Sequence, residues 1–241
     1  MSNKISINAE KTKYIIFSYG RSFVLPPIFI GMSQIQQTDH TKFLGLIIDQ
    51  NLNFKYHINY ISSKISKSVG ILFKLKYFLP NDVLKLIYLS FIHPYLNYGI
   101  EAWFAASKNL TDRVFIFQKK AIRAISDLPY NAHTSNFFKT LRILKLHDIY
   151  NLQVGKIMYS AIKKGTYSKI AEALSFKSLV HQHRTRQIEQ LNIPRYTRTK
   201  SQRSLLFTGT KLWNQISSIV DCEVSFSAFK LHLKAHYLDT Y

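Results

Sequence analysis

Apolar positions follow two rhythms along the chain. Residues 14–17 and 42–49 are short apolar runs rich in β-branched and aromatic side chains, separated by a stretch holding Gly20, Pro26, Pro27 and Gly31. They predict strands of a small antiparallel sheet, with a turn after Asp49. From Phe54 the period lengthens. Ile58, Ile61, Ile65, Val69, Leu72, Leu75 and Leu79 recur three or four residues apart, which places them on one side of a helix over 54–79 that Pro80 ends.

Asn81 is positioned to cap a following helix, in which Val83, Leu84, Leu86, Ile87, Leu89, Phe91 and Ile92 point in all directions, as expected of a helix buried on most sides. Pro94 should kink or break it. A third helix, over about 110–126, carries Leu110, Val114, Phe117, Ala121 and Ile125 on one face and stops before Pro129. A further helix over about 148–164 closes with Lys163, Lys164 and Gly165, cations at the negative end of the dipole and a glycine cap. Beyond a boundary near 168–178 the composition shifts. Residues 177–211 hold eight Lys or Arg against Glu189 alone, with Pro194 and many Thr, Ser and Gln, which reads as a basic loop. Lys211-Leu212-Trp213 opens a short helix, and Phe226, Phe229, Leu233 and Tyr237 mark a terminal amphipathic one.

Charge narrows the function classes. Among 241 residues, 33 Lys plus Arg face 13 Asp plus Glu, a formal charge of +20 that a polyanion would neutralise. Nucleic acid is the leading partner class. An anionic membrane surface competes, but no stretch is long and apolar enough to span a bilayer, and the first residues lack a signal-peptide core. A nuclear or cytoplasmic, non-secreted protein is expected. The single Cys222 allows no internal disulfide and no cysteine zinc cluster, so the fold rests on its apolar core.

Catalytic signatures are sparse. Two-metal phosphoryl transfer needs converging carboxylates, whereas Asp39, Asp49, Asp112 and Asp127 are scattered and read as turn and cap residues. His181 with His183, and His232 with His236, lack a third ligand at a suitable spacing. No glycine-rich phosphate loop and no Ser-His-Asp grouping stands out.

What the sequence does offer is basic faces beside apolar ones. On the 54–79 helix Lys64, Lys67 and Lys74 share a flank with Tyr56 and Tyr60 nearby. On the third helix Arg113, Lys120 and Arg123 share a face with Lys119 adjacent, and Arg184, Arg186, Arg195, Arg198, Lys200 and Arg203 punctuate the basic loop. Such groups bind phosphates, with aromatics available to stack on sugars or bases. A merely solvated helix surface is the competing reading for each face taken alone.

The run Lys42-Phe43-Leu44-Gly45-Leu46-Ile47-Ile48-Asp49, preceded by Asn8-Ala9-Glu10-Lys11, resembles the last palm motifs of reverse transcriptases from non-LTR, LINE-type, jockey-like retrotransposons. The likeness continues through His57-Ile58, Leu79-Pro80, Ser90-Phe91-Ile92, Pro94-Tyr95-Leu96, Tyr98-Gly99, Trp103 and Gln118-Lys119-Lys120-Ala121-Ile122-Arg123, which look like the thumb. His183-Arg184-Thr185-Arg186, Gly209, Lys211-Leu212-Trp213-Asn214 and Ser227-Ala228-Phe229-Lys230 resemble the carboxyl-terminal region of that family. The resemblance implies that Asn8 and Lys11 match a palm motif near the incoming nucleotide, and that Phe43, Leu44 and Gly45 match a hairpin that holds the primer end. It also implies that the hairpin bearing the catalytic aspartates would precede Asn8, where the sequence given has only seven residues.

The expectation is therefore a mainly α fold, a helical thumb-like bundle with a small N-terminal antiparallel β remnant of a polymerase palm. Residues 1–53 would be the palm elements, 54–170 the thumb-like domain and 171–241 the basic C-terminal region. The expected role is to grip RNA template and DNA primer without catalytic residues of its own, Mg²⁺ belonging to the intact polymerase and the palm and fingers coming from another chain. Two further readings stay open: a free-standing nucleic-acid-binding module, and a degenerate or protein-interaction remnant.

Overall fold

The computed structural model of the chain describes residues 8–18, 26–180, 189–199 and 201–241. It is mainly helical with a little β structure, and it divides into two compact units, residues 1–60 and 61–241.

The first unit holds short strands. β1 (Lys13–Tyr14) pairs in parallel with β4 (Gln36–Gln37), and β2 (Phe29–Ile30) pairs antiparallel with β3 (Ser33–Gln34). β5 (His40–Phe43) and β6 (Leu46–Asp49) form a hairpin in the register His40↔Asp49 to Phe43↔Leu46. Two expectations change here. The run 14–17 contributes only its first residue to a strand, and that strand is parallel. The run 42–49 is not one strand, because Leu44 and Gly45 take φ of 45° and 86° and turn it back on itself.

The expected long helix is α1 (Lys55–Leu75), with Ile58, Ile61, Ile65, Val69 and Leu72 all buried. Its start is set by Asp49, a carboxylate only 2% exposed that accepts hydrogen bonds from the backbone N–H groups of Asn51 (3.1 Å), Asn53 (3.2 Å) and Phe54 (2.7 Å). These are donors that the turn entering a helix leaves orphaned.

In the second unit, α2 (Asn81–Phe91) follows Pro80, whose carbonyl accepts from Val83 and Leu84; Pro80, not Asn81, is the cap residue. Nor is α2 buried all round. Leu84 and Tyr88 face inward, while Leu86 and Phe91 are 62% and 60% exposed. Pro94 breaks the helix as expected and sits in the first turn of α3 (His93–Asn97), which α4 (Ile100–Trp103) and α5 (Lys108–Ile125) follow. Beyond α6 (Ser135–Thr140), α7 (Leu146–Lys164) forms the central post, ended by Gly165 in the left-handed conformation at φ 63°.

Short α8 (Ser168–Ala173) and α9 (Lys177–Val180) lead to α10 (Leu205–Ile216) and α11 (Phe226–Asp239), both packed on α7. α10 begins earlier than its apolar pattern suggests, because the Ser204 hydroxyl caps it by accepting from Phe207 N–H. At Gly155 of α7 an added Cβ would lie 2.8 Å from Leu233 and 3.1 Å from Ile216, so the missing side chain is what lets three helices close. Gln118, fully buried among apolar neighbours, donates to Tyr88 Oη and Leu144 O and accepts from Leu146 N–H, all at 2.9 Å, tying α2, α5 and α7 together.

Candidate nucleic-acid interface

The β5–β6 hairpin closes in a two-residue turn of the type with positive φ at both central positions, for which Asn-Gly is the usual sequence. Gly45 suits that backbone. Leu44 does not, since its Cβ crowds the following carbonyl at a cost of about 1–2 kcal/mol. The strained leucine is nonetheless 74% exposed and its neighbour Phe43 59% exposed, so the fold holds an apolar tip out into solvent. Strain kept at an exposed apolar position points to contact with another molecule.

The hairpin is fastened to the first turns of α1. The His40 ring stacks on Tyr56 at 4.2 Å and 11°, Tyr56 Oη donates to Asp39 Oδ2 (3.1 Å), and the Asp39 Oδ1–His40 Nδ1 contact is 2.7 Å. The His40 hydrogen bond holds the Asp39 carboxyl below its ordinary range, and Asp39 in turn raises the Tyr56 phenol. Ile47 N–H points at His57 Nδ1 (3.4 Å), and burial lowers the His57 imidazole to about 4, so it is neutral at pH 7. Lys42 Nζ lies 5.8 Å over the Tyr60 ring.

Along α1 the helical period puts Tyr56, Tyr60, Lys64, Lys67 and Lys74 opposite the buried isoleucine stripe. The three lysines are exposed. They span about 15 Å of helix axis. Gly70 lies on the edge of this face with no atom within 4 Å of a Cβ built there. Lys76 is withdrawn into an ion pair with Asp127 (2.7 Å) and lies over the Tyr77 ring.

The basic residues of α5 divide. Arg113 is exposed, Lys119 lies over Phe115 (4.9 Å), and Lys120 lies over Phe117 and Tyr130. Arg123 Nε donates to Ala132 O at 3.0 Å, which fastens the turn after the helix. Asn8 caps a 3-10 turn (Ala9–Lys11) by accepting from Lys11 N–H, leaving the Lys11 side chain exposed. Arg195 and Arg198 are exposed on the irregular stretch before α10, Arg203 lines a cavity, and Arg184, Arg186 and Lys200 lie outside the described residues. His232 and His236 gather no third ligand, and among the described residues no three His, Cys, Asp or Glu side chains cluster as a metal site would need. Among the same residues no helix is long and apolar enough to cross a membrane.

Sequence reasoning gave Lys42 and Gln118 no structural role, whereas Asp49 takes the turn role expected of it. A buried glutamine on an otherwise apolar helical face was the one signal available for Gln118; Lys42 reaches the Tyr60 ring only in the folded unit.

No family model and no solved structure matches the chain. Over 149 residues it is 30% identical to the RNA-directed DNA polymerase from mobile element jockey of Drosophila melanogaster, covering 60% of this chain and 16% of that protein. It is 25% identical over 154 residues to the probable RNA-directed DNA polymerase from transposon X-element, and 25% identical over 143 to that from transposon BS, both of Drosophila melanogaster and again covering 16% of each. The chain is therefore related to RNA-directed DNA polymerases. The chain spans only about a sixth of the length of these relatives, each an RNA-directed DNA polymerase of a mobile element or transposon.

Proposed function

We propose that this chain is the template- and primer-gripping part of a non-LTR reverse transcriptase, with palm-end elements over 1–53, a thumb-like helical domain over 54–170 and a basic C-terminal region over 171–241. The observation that carries this reading is the strained, exposed Phe43-Leu44-Gly45 tip. A tip of this kind abuts the primer end, where an apolar wedge can press on a sugar or base without competing for phosphate. Lys64, Lys67 and Lys74 neutralise backbone phosphates as point charges, and Arg113, Lys119 and Lys120 form a second such face. RNA template and DNA primer are the partners. The aspartates and the Mg²⁺ that transfer nucleotides belong to the intact polymerase, and the purified chain extends no primer.

Affinity for an RNA–DNA hybrid, followed by fluorescence anisotropy across a salt series, tests this. It should fall steeply with salt and depend little on sequence. Reversing charge at Lys64, Lys67 and Lys74 together should flatten the log–log slope by about one unit for every phosphate that is no longer neutralised. An unchanged slope, or no binding at low salt, would sink the proposal.

A further inference from the structure

A cavity of about 280 Å³ opens where the loop between α4 and α5 meets the first turns of α5, α7 and α10. Its wall combines Phe104, Lys108, Thr111, His147, Tyr150 and Arg203, and no carboxylate lines it. Phe104 stacks on Tyr150 (4.4 Å) and meets the His147 ring edge-on (5.3 Å), so the aromatic wall is held rigid. Tyr150 Oη and Thr208 Oγ1 are 2.9 Å apart and share one hydrogen bond across the cavity floor. Asp148, the acid next to His147, is engaged by Tyr241 Oη at 2.6 Å.

Two cations in this wall are unpaired among the described residues. Neither the half-buried Arg203 guanidinium nor the Lys108 ammonium makes a hydrogen bond or ion pair with any described residue. A guanidinium carries five donors in a rigid fork that matches a phosphate, and at a half-buried position solvent meets them only in part. The cavity is at the small end of ligand sites, which run to about 300–1,000 Å³, so it suits one nucleotide and excludes two.

We infer that this cavity binds a single nucleotide, with its phosphate between Lys108 and Arg203 and its base or sugar against the Phe104 wall. The nucleotide is either free or the unpaired end of a nucleic-acid strand. The site stands on elements other than the β5–β6 tip and the α1 lysine face, and does not depend on the function proposed for them.

Titrating the purified chain with adenosine 5′-monophosphate, inorganic phosphate and adenosine, read by NMR chemical-shift changes, tests this. The monophosphate should bind more tightly than either fragment. Arg203→Ala and Lys108→Ala should each weaken it about tenfold, the worth of one charge-assisted contact. Lys169→Ala, an exposed position on α8 outside the cavity, serves as a control of equal charge change and should leave it unaltered, and thermal melts confirm that each variant is folded.

Loss of binding in the control alongside the two variants, phosphate binding as tightly as the nucleotide, or no nucleotide binding at all would each overturn the inference. A hybrid with a one-nucleotide overhang, compared with a blunt one, then separates the sources. Tighter binding of the overhang that Arg203→Ala abolishes assigns the site to a strand end, and equal binding assigns it to the free nucleotide. Because the monophosphate titration bypasses the α1 lysines, failure of the gripping role leaves its outcome unmoved.

Discussion

At the β5–β6 tip the side chains of Phe43 and Leu44 face solvent and the backbone is strained to keep them there, whereas on α10 the Leu212-Trp213-Asn214 segment is turned into the protein. Trp213 is 5% exposed and packs on Phe229 at 6.0 Å between ring centres. Asn214 accepts from Leu191 N–H and donates to Leu191 O, both at 2.9 Å, and so clamps the middle of the basic stretch. Both segments belong to the series that resembles the polymerase family. Resemblance alone does not distinguish them; exposure combined with strain is what sets the tip apart and supports the role proposed for it.

The largest effect that could break this contrast is at Trp213. Trp213→Ala should remove about 4 kcal/mol of stability, as loss of a buried aromatic with its cavity does, measured by denaturant unfolding. Hybrid binding below the lowered melting temperature should stay at the parent value. A variant that stays stable and loses binding would reverse the roles.

Asp49→Ala comes next. It strands three backbone N–H groups of the turn into α1, that of the buried Phe54 among them, and should cost about 3 kcal/mol, seen as weaker hydrogen-exchange protection in β6 and the first turns of α1. Equal protection in the variant would show that the turn does not depend on the carboxylate.

Acidification probes both units more gently. His57 is held neutral by burial with its value lowered from the ordinary 6.5 to about 4, and His93 is lowered by burial and by Lys234. Between those pH limits the unfolded chain takes up protons that the fold refuses, so stability is complete above pH 6.5 and falls as pH drops toward 4. His57→Asn, which keeps an acceptor near Ile47 N–H, should reduce that slope in a melting series over pH 4–7. An identical slope in the variant would remove His57 from the account.

The helical core was legible because its signal is local. The isoleucine spacing of α1, the face of α5 and the Lys-Lys-Gly end of α7 each state a 3.6-residue period or a cap within one segment. The hairpin was hidden from the apolar pattern, since residues 42–49 read as one run and a leucine occupies the place where Asn or Asp would have announced the turn; only the family resemblance put a hairpin at Phe43-Leu44-Gly45. On α2, apolar residues all round suggested full burial, but hydrophobicity cannot say which face has a neighbour. The nucleotide cavity was beyond reach for a different reason. Its residues come from 104–111, 147–150 and 203–208, and only tertiary packing unites them.

Leu44→Gly sharpens the contrast from the other side. Glycine takes φ 45° without the Cβ clash, so the hairpin should gain about 1 kcal/mol. Hybrid affinity should drop because the apolar tip is gone. Gain of stability without loss of binding would leave Leu44 as an accident of sequence rather than a contact.

The smallest expected change is at Gly70, and it separates charge from shape on the lysine face. Glycine inside a helix is unfavourable by about 0.5–1 kcal/mol relative to alanine. Nothing in the fold requires it here, because an added Cβ would meet no atom within 4 Å. Gly70→Ala should therefore raise the melting temperature slightly. If a strand approaches α1 beside Lys67 and Lys74, the added methyl stands in its path, and affinity should fall while the salt slope stays fixed, since no cation has changed. Charge reversal at the lysines predicts the opposite signature, a flatter slope. Should Gly70→Ala stabilise the helix and leave affinity untouched, the lysines act at a distance from the strand, and the close approach on α1 must lie toward Tyr56 and Tyr60.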